Sequence, residues 1–439
     1  MNHTVNEVLQ FVSENDVKFI RLVFCDIFGA MKNIAIMATE LPRAFERGVS
    51  FDVSSVKGFN GIGEPDLYLH PDPATMAILP WRPQQGRVIR FFCDIKYADG
   101  RVFDYSVRNV LVNAVSQAAK MGYVCKVGSE CEFYLFECDE KGRPTKIPHD
   151  YAGYLDVAPL DKGENVRRDI CLTLEEMGTM VQSSHHESGN GQNEIDFAYT
   201  DALTAADDLI TFKSVVRTIA SLNGLFASFM PKPCEDQSGS GYHINMSLAK
   251  NGSNIFVNDK HAHSSEAESF IAGILNRIPE ITVFLNPLTN SYHRIGTFEA
   301  PKYISWSHYN CFPLIHIPDA TGEYARMELR SADPACNPYL AFALLLYAGL
   351  EGIEQGLPLS EPTDINLLTA DEETLKKFIQ IPENLGDAIC AAERSAFVHR
   401  VLPENLLHAY LTEKKAEWEA YTQVLDKGEF EQQRYFANV

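Results

Sequence analysis

Three segments of the chain alternate ionisable and apolar side chains, and this alternation constrains the fold more than any other feature. The segments are KVGSECEFYLFE (126–137), GYHINMSL (241–248) and EYARMELR (323–330). Residues two apart in a β-strand share a face, so each segment predicts a strand with a polar front and an apolar back. Because buried ionisable groups need partners, we expect the three fronts to face one shared cavity.

The polar fronts carry carboxylates, one imidazole, one amide and two arginines. In chain order they are Glu130, Glu132, His243, Asn245, Arg326, Glu328 and Arg330. A fourth segment, HHESGNGQNEIDF (185–197), adds Glu187 and Glu194 around a loop with two glycines. If the segments converge, so many glutamates cannot all remain ionised without cations. Oxygen ligands with a single imidazole favour Mg²⁺ or Mn²⁺ over zinc, and they suffice for two ions per chain.

Each of these features also has an ordinary structural explanation. A lone Glu-x-Glu strand is most often a solvated face, a lone His243 is most often structural, and the glycine-containing segment alone fits a surface turn. Their recurrence in four segments favours one polar cavity. The chain contains no Gly-x4-Gly-Lys-Ser/Thr loop, Gly-x-Gly-x-x-Gly fingerprint, His-Glu-x-x-His or Gly-x-Ser-x-Gly motif. Metals and arginines are therefore expected to hold any nucleotide.

The charge balance excludes several classes of partner. The 59 Asp and Glu residues outnumber the 38 Lys and Arg residues, for a net charge of −21, and this field repels nucleic acid and anionic membrane surfaces. The ten cysteines include no Cys-x-x-Cys pair, which favours reduced thiols in a cytosol. The N-terminus lacks a signal-peptide pattern, and the longest apolar run, 339–350, is too short to cross a bilayer. We therefore expect a cytoplasmic protein with small-molecule partners, no nucleic acid and no membrane.

Pattern changes along the chain predict an α+β protein with two domains. The first hundred residues are mainly strand-like, as in VKFIRLVFCDIFG (17–29) and RVIRFFCDIKYADGRVF (87–103). The first long helix is predicted from about Ser106, a suitable N-cap, to Lys120. Strand-like and helix-like segments alternate after it. The predicted domains are 1–105 and 106–439.

Another helix start is marked by Asn337, which can cap, and Pro338, which suits the first helical position. The segment YLAFALLLYAGLEGIEQG (339–356) that follows is nearly all apolar. We predict that this helix is buried.

The motifs, taken in order, resemble those of the glutamine synthetase family over essentially the whole chain. The matching stretches are Asp52–Ser55 (where the family has Asp-Gly-Ser-Ser), Glu130–Phe133, His185–Glu194, Met230–Pro233, Gly239–His243, Asn290–Arg294, Glu299–Pro301 and Arg326–Arg330. The resemblance implies a small β-grasp-like N-terminal domain and a large catalytic domain whose curved antiparallel sheet forms a funnel. It also implies an ATP-dependent ligase, in which ATP phosphorylates a glutamate side chain and ammonia attacks the acyl phosphate.

The resemblance further implies roles for individual residues. Two sets of metal ligands, one for each ion, are Glu132, Glu187 and Glu194, and Glu130, His243 and Glu328. The residues at the amino acid are Tyr154, Gly239, Arg294 and Arg330. The residues at the nucleotide are Asn245, Ser247 and Arg326. The ammonium site and its lid comprise Asp52, Tyr154 and Glu299. Those expected to act in catalysis are Asp52, Arg294, Glu299 and Arg330.

The position of Asp52 implies an oligomer. Asp52 belongs to the N-terminal domain, whereas the other implied site residues follow residue 105. In the family, a neighbouring subunit closes this gap. We therefore expect a homo-oligomer with active sites between subunits, as a dodecamer of two stacked hexamers.

Five positions depart from the family pattern, including Ser238 before the Gly-Ser-Gly turn and Val53 in place of Gly. Cys311 and His316 stand where members usually have arginines that contact the transferring phosphate, and Asn245 stands where many have a second histidine. An arginine on a transferring phosphoryl group can accelerate transfer by several orders of magnitude. Three hypotheses therefore stay open. The chain is a ligase that joins ammonia or a small amine to glutamate or a related acid, a metal-dependent hydrolase of γ-glutamyl amides, or a catalytically weak structural or regulatory relative.

Overall fold

The computed structural model of the protein describes residues 3–59, 66–257, 263–310, 312–367 and 369–439. Within these ranges the chain is a mixed α+β protein with one small and one large sheet. Cys311, where the sequence lacks a family arginine, lies outside the described residues.

The small sheet is formed by the N-terminal strands. They are β1 (Val17–Cys25), β2 (Met31–Met37), β3 (Val49–Asp52), β4 (Asp66–Pro71), β5 (Ala77–Ile78) and β6 (Arg87–Lys96). Their order is β2-β1-β6-β4-β3, with β5 on β6, and only β1 and β6 pair in parallel within the described ranges. The most apolar strands, β1 and β6, are adjacent in the interior of the sheet, where branched and aromatic side chains pack well. The predicted strand-rich N-terminal part is confirmed.

The same part of the chain also contains helices that the prediction missed. They are α1 (Val5–Glu14) and α2 (Leu41–Arg47). A capping box begins α1: the Thr4 hydroxyl accepts a hydrogen bond from the Glu7 N–H, and the Glu7 carboxylate accepts one from the Thr4 N–H at 2.7 Å. The prediction is wrong here because it weighs the strand-like segments and not the Thr-x-x-Glu signature of a helix start.

The large sheet curls into a half-barrel. Its strands are β7 (Tyr123–Cys138), β8 (Pro144–Pro148), β9 (Val181–His186), β10 (Gln192–Phe197), β11 (Thr200–Asp201), β12 (Leu225–Ser228), β13 (Tyr242–Lys250), β14 (Ser253–Asn254), β15 (Trp306–Ser307), β16 (Ile315–His316) and β17 (Met327–Leu329). The main order is β15-β16-β17-β13-β7-β10-β9, and its pairs are antiparallel apart from β15 and β16. The predicted fold class, a curved antiparallel sheet beside a small β-grasp-like domain, is confirmed.

Strand β7 shows the alternation that the sequence predicts. Cys131, Phe133 and Leu135 are fully buried in the apolar core, whereas Glu130 and Glu132 face a cavity on the other side. The polar front of the sheet is therefore held in place by an apolar back that cannot turn outward without exposing large side chains.

The helices that follow are α3 (Val107–Lys120), α4 (Glu164–Glu176), α5 (Ala202–Leu222), α6 (Ser265–Leu285), α7 (Ser291–Arg294), α8 (Pro338–Gln355), α9 (Glu372–Leu375), α10 (Leu385–Arg394), α11 (Ala396–Val401), α12 (Glu404–Gln423) and α13 (Lys427–Glu431). Of these, α3 and α5 pack against β7, and α6 packs against α8 and α10. As predicted, Asn337 caps α8 by accepting a hydrogen bond from the Tyr339 N–H at 3.1 Å, and α8 is buried. It crosses α6 so closely that a Cβ on Gly352 would lie 2.0 Å from the Ser269 carbonyl oxygen.

A buried ionic cluster joins the part of the chain that forms the small sheet to the part that forms the large sheet. Arg108 on α3 donates to Asp72 at 2.9 Å and to Asp94 at 3.1 Å, both in the N-terminal part. The same guanidinium contacts Asp207 on α5 at 3.0 Å, and the Tyr339 hydroxyl donates to Asp207 at 2.6 Å. Burial raises the pKa of Asp207 although Arg108 lies beside it. The ionised form of Asp207 therefore depends on Arg108 for its stabilisation.

We predict that Arg108→Ala destabilises the protein by about 3–5 kcal/mol, because the buried Asp207 carboxylate loses its ion-pair partner and keeps only the hydrogen bond from Tyr339. The measurement is the midpoint of urea unfolding, followed by circular dichroism at a fixed protein concentration. The control is Arg101→Ala, which removes an exposed pair with Asp99 and should cost less than about 1 kcal/mol. Equal shifts of the urea midpoint in Arg108→Ala and Arg101→Ala would contradict the prediction.

Two further observations concern the cysteines and the helices that the structure describes. The cysteines that the structure describes are all unpaired. Among the described residues, no helix combines the length and the apolarity that crossing a membrane requires.

Candidate active site

The polar front of the large sheet opens into a cavity of about 620 Å³. Most of the predicted site residues line it. They are Glu130, Glu132, Tyr154, Glu187, Glu194, Gly239, His243, Arg294, Glu299 and Arg330. The four segments that the sequence predicts to converge therefore do so.

One group of potential ligands surrounds His243. Its Nδ1 lies 3.1 Å from Glu130 Oε2 and 3.6 Å from Glu328 Oε1. The sheet register explains this proximity, since His243 pairs with Glu130 across β13 and β7, and Glu328 pairs with Asn245 across β17 and β13. Burial raises the pKa of Glu130, but the hydrogen bond with His243 and one from Asn245 outweigh it, so the net pKa is lowered.

Glu132 is held by donors from two neighbouring segments. Its Oε2 accepts hydrogen bonds from Gln192 Nε2 at 2.5 Å and from the Gly241 N–H at 2.9 Å. Gly241 is required here by close approach. A Cβ at this position would lie 2.8 Å from Arg294 Nη2, 2.9 Å from Glu132 Oε1 and 3.0 Å from His243 Nε2.

A second group of potential ligands lies at the end of β9 and on β10. His185 Nε2 lies 2.9 Å from Glu187 Oε1 and 3.7 Å from Glu194 Oε2. The hydrogen bond with Glu187 raises the pKa of His185. The ring of Tyr154 meets the His185 ring edge-on, with centroids 5.6 Å apart.

The crowding of carboxylates favours a bound cation. Burial raises the pKa of Glu194 well above its usual range, and the charges of Glu132, Asp196 and Glu130 add to this effect. Among the described residues, three groups of ligand atoms lie close enough together to hold an ion. Two of them line the cavity and share Glu194: Glu130, Glu194 and His243, and His185, Glu187 and Glu194. The third, Asp150, Asp161 and His186, does not line it. Carboxylates with one or two imidazoles are a donor set that fits hard divalent cations such as Mg²⁺ or Mn²⁺.

Two arginines line the same cavity beside these carboxylates. Arg294, at the end of α7, is buried, and its guanidinium donates to the backbone carbonyls of residues 330–332 at 3.1–3.2 Å. Arg330 Nη1 contacts Glu328 Oε1 at 2.5 Å, and its Nη2 lies 3.7 Å from Glu299 Oε2. The cavity therefore places fixed positive charge beside a cluster of negative charge.

A smaller cavity, of about 280 Å³, lies beside Arg326, and His308 and Tyr309 also line it. Arg326 Nε donates to Asn245 Oδ1 at 2.9 Å. Ser247, which is buried two residues further along β13, lines neither this cavity nor the larger one as far as the structure describes them.

Asp52 lies away from both cavities. It ends β3, it is exposed, and its carboxylate accepts a hydrogen bond from the Ser54 N–H at 2.8 Å. None of the described residues that line the larger cavity comes from the N-terminal part of the chain.

Three residues that contact the predicted ligands are absent from the sequence-based set. His185 and Gln192 each precede a predicted ligand by two residues in the segment 185–197 that supplies Glu187 and Glu194, so the period of a β-strand could have pointed to them. His316 Nδ1 lies 2.9 Å from Glu328 Oε2. That contact depends on the pairing of β16 with β17, which no local pattern indicates.

Comparison with known proteins agrees with this geometry. The family model "Glutamine synthetase, beta-Grasp domain" matches residues 16–98, and "Glutamine synthetase, catalytic domain" matches residues 104–433. The chain belongs to the glutamine synthetase family. This family comprises ATP-dependent ligases that use divalent metal ions, and the chain is accordingly a ligase enzyme.

Several glutamine synthetases are similar to the chain along almost its whole length. The one from Clostridium saccharobutylicum is 47% identical over 424 residues, which are 95% of this chain and 96% of that protein. The one from Methanosarcina mazei is 47% identical over 427 residues, 96% of each chain. The one from Staphylococcus aureus (strain MW2) is 41% identical over 439 residues, 98% of each.

Solved structures agree with the family assignment. The structure described as "GmaS/ADP complex-Conformation 1" superimposes with a TM-score of 0.88 at 30% identity and covers 99% of both chains. The cryo-EM structure of Plasmodium falciparum glutamine synthetase superimposes with a TM-score of 0.86 at 24% identity, again over 99% of both chains. At that identity the second likeness concerns the fold alone.

We predict that Glu194→Gln stabilises the metal-free protein at neutral pH. The pKa of Glu194 is raised in the folded state, so its favourable contribution is complete below the unfolded pKa of about 4.3 and is lost as pH rises through the folded pKa. In excess chelator the variant should therefore melt at a higher temperature than the wild type at pH 7.5, and the difference should narrow at pH 5.

Added Mn²⁺ should reverse this order, because the cation stabilises only a chain that binds it. Thermal melts of both proteins, with and without Mn²⁺, provide the measurement. Glu176→Gln, on the exposed side of α4, is the control and should change neither melt. If Mn²⁺ raised the melting temperature of the wild type and of Glu194→Gln by the same amount, this would count against a cation at this site.

Proposed function

We propose that the protein joins ammonia or a small amine to the side-chain carboxylate of glutamate or a related acid, with ATP as the second substrate and an acyl phosphate as intermediate. The observation that carries this proposal is the pairing of Arg294 and Arg330 with a dense carboxylate cluster across one cavity. Such a site can hold an anionic amino acid and a cation-bound phosphate side by side.

The arginines account for recognition of the acid. Arg294 is fixed by three backbone carbonyls, and Arg330 lies between Glu328 and Glu299. Guanidinium groups held in this way bind a carboxylate with little loss of entropy. We assign both to the amino acid, with Tyr154 and Gly239 on the surrounding wall.

The carboxylates account for the phosphate and for two divalent ions. Glu132, Glu187 and Glu194 would hold one ion, and Glu130, His243 and Glu328 the other. Bound ions of this kind neutralise the phosphate oxygens during transfer. His185 adds an imidazole to the first set, since it lies 2.9 Å from Glu187.

The smaller cavity supports an assignment for the nucleotide. Arg326 lines it together with His308 and Tyr309, which offer rings for stacking. The similar solved structure at 30% identity is a complex with ADP. We assign Arg326 and Asn245 to the nucleotide side, whereas Ser247 keeps this role only as a prediction.

Proton removal from ammonium is assigned to exposed carboxylates at the cavity mouth. Glu299 lines the mouth and its side chain is 68% exposed. Asp52, in the N-terminal part, would approach from a neighbouring copy of the chain. A carboxylate that binds ammonium and then accepts its proton releases ammonia beside the acyl phosphate.

Exposed apolar side chains near the cavity support this arrangement between chains. The segment 151–160 contributes Tyr154 to the lining of the cavity. It exposes 57–74% of each of its large apolar residues, namely Tyr151, Tyr154, Leu155, Val157 and Leu160. A cluster of this kind is typical of a surface covered by a partner. We propose that the N-terminal part of a second copy covers it, in a ring that could stack as a dodecamer.

The ADP-release assay with wild-type protein tests the proposal. ADP should appear only when Mg²⁺ or Mn²⁺, an amino acid with a side-chain carboxylate and an amine are all present. Release of ammonia from a γ-glutamyl amide without ATP would instead support the hydrolase hypothesis. Absence of turnover with every acid and amine pair would support the structural or regulatory hypothesis.

Two arginine variants test the division of the site. Arg330→Gln should raise KM for the amino acid by roughly ten- to a hundredfold, because it removes charge-assisted hydrogen bonds, and should leave KM for ATP nearly unchanged. Arg326→Gln, at the other end of β17, should raise KM for ATP and leave KM for the amino acid nearly unchanged. Steady-state kinetics with each substrate varied provide the measurement. A rise in the same KM for both variants would contradict the assignment.

Mixed oligomers test the site between chains. Asp52→Asn and Glu132→Gln should each inactivate the protein alone. When the two chains are co-expressed with different tags and purified together, about a quarter of the sites should combine intact residues from both chains, and activity should return. If each chain supplies its own Asp52, mixing restores nothing.

A further inference from the structure

Two side chains contact the carboxylates of the site without being metal ligands themselves. Asn245 on β13 donates from Nδ2 to Glu130 Oε1 at 2.9 Å. On β16, His316 Nδ1 lies 2.9 Å from Glu328 Oε2. We propose that Asn245 and His316 are positioning residues that orient these two carboxylates for a divalent cation shared with His243. The inference rests on the proposed function only in assigning Glu130, His243 and Glu328 to one ion.

The register of the sheet builds this support. His316 is paired with Glu328 across β16 and β17, and Glu328 is paired with Asn245 across β17 and β13. The three side chains therefore form one row across adjacent strands. Glu130 and His243 form the next row, across β7 and β13. His316 and Glu328 are directly opposed, so their Cβ atoms are about 5 Å apart. Asn245 is opposite Gly128 and reaches Glu130 diagonally from the neighbouring row, a distance that the longer glutamate side chain spans.

The two supports act on different oxygens from those that face His243. Asn245 occupies Oε1 of Glu130, whereas His243 lies against Oε2. His316 occupies Oε2 of Glu328, whereas His243 lies 3.6 Å from Oε1. Glu130 is thus held by Asn245 at one oxygen while its other oxygen faces the imidazole. Glu328 is held by His316 at Oε2 and by Arg330 at Oε1, the oxygen that faces the imidazole. Groups that fix the orientation of metal ligands in this way change metal affinity as strongly as some ligands do.

Asn245 has a second contact that explains the choice of an amide. Its Oδ1 accepts a hydrogen bond from Arg326 Nε at 2.9 Å while its Nδ2 donates to Glu130. An amide offers a donor and an acceptor at once and carries no charge. One buried side chain therefore links the arginine of the smaller cavity to a predicted metal ligand of the larger one.

Both residues occupy positions where the sequence departs from the family pattern. His316 stands in place of an arginine, and its contact with Glu328 gives it a role in the metal centre and not at the phosphate. Asn245 stands in place of a second histidine. The two departures thus converge on the carboxylates of a single ion, Glu130 and Glu328.

Titration with Mn²⁺ alone, followed by electron paramagnetic resonance of the free ion, tests the proposal without any substrate. Asn245→Ala and His316→Ala should each weaken one of two Mn²⁺ sites per chain by roughly ten- to a hundredfold and leave the other unchanged. His316→Asn, whose amide nitrogen can replace Nδ1 as donor, should recover affinity to within roughly threefold of wild type.

The matched control is Asn337→Ala. Asn337 is as buried as Asn245, and its side chain also makes two hydrogen bonds. Its Nδ2 donates to the Ile27 carbonyl, and its Oδ1 accepts from the Tyr339 N–H. Asn337 does not line the larger cavity. Its loss should lower the melting temperature and leave both Mn²⁺ affinities unchanged. A purely structural role for Asn245 and His316 would give this same pattern.

The outcomes separate this inference from the proposed function. Two wild-type Mn²⁺ sites that are unaffected by Asn245→Ala and His316→Ala would overturn the inference and leave the proposed ligase intact. Equal weakening of both sites would also overturn it, because the residues would then act on the fold as a whole. A wild type that binds no Mn²⁺ would overturn the proposed metal centre itself, and this inference with it.

Discussion

The repulsion among buried carboxylates on one face of a sheet is the constraint on which the rest of the structure depends. Strand alternation brings Glu130 and Glu132 to the same side of β7, and antiparallel pairing brings Glu194 opposite Glu132. Burial raises the pKa of both Glu132 and Glu194, so the metal-free fold stores an electrostatic penalty. The largely apolar back of the sheet and the buried helix α8 offset that penalty. The carboxylate face therefore lowers the stability of the metal-free fold, and the apolar core compensates for it.

A second constraint concerns how the small sheet is oriented. Arg108 bonds to Asp72 and Asp94 on one side and to Asp207 on the other, all within a mostly buried cluster. Charged hydrogen bonds to three carboxylates have directional geometry, unlike an apolar contact, which can slide. Arg108 thus adds directional contacts to the apolar core that the N-terminal part, which carries Asp52, shares with the rest of the chain. In an assembly, those contacts would also help to determine where Asp52 meets the neighbouring cavity.

Much of the fold and of the site could be predicted from the sequence because both depend on local periodicity. The alternation in β7 and β13 identifies Glu130, Glu132 and His243 together with their apolar backs, and Asn337 with Pro338 marks the start of α8. The helix α1 was missed although Thr4 and Glu7 carry a recognisable signature. The contact of His316 with Glu328 could not be predicted, since it depends on the pairing of the two-residue strand β16 with β17, which no local periodicity indicates.

Gly241 has a consequence for how this enzyme can change. Its hydrogen atom stands where a methyl group would meet Arg294, Glu132 and His243 together. No side chain can enter the centre of the cavity from this position without displacing groups proposed for both the acid and the metals. Substitution at position 241 is therefore coupled to movement of these three side chains. Tyr154 and Glu299, which are exposed at the cavity, can change without that coupling.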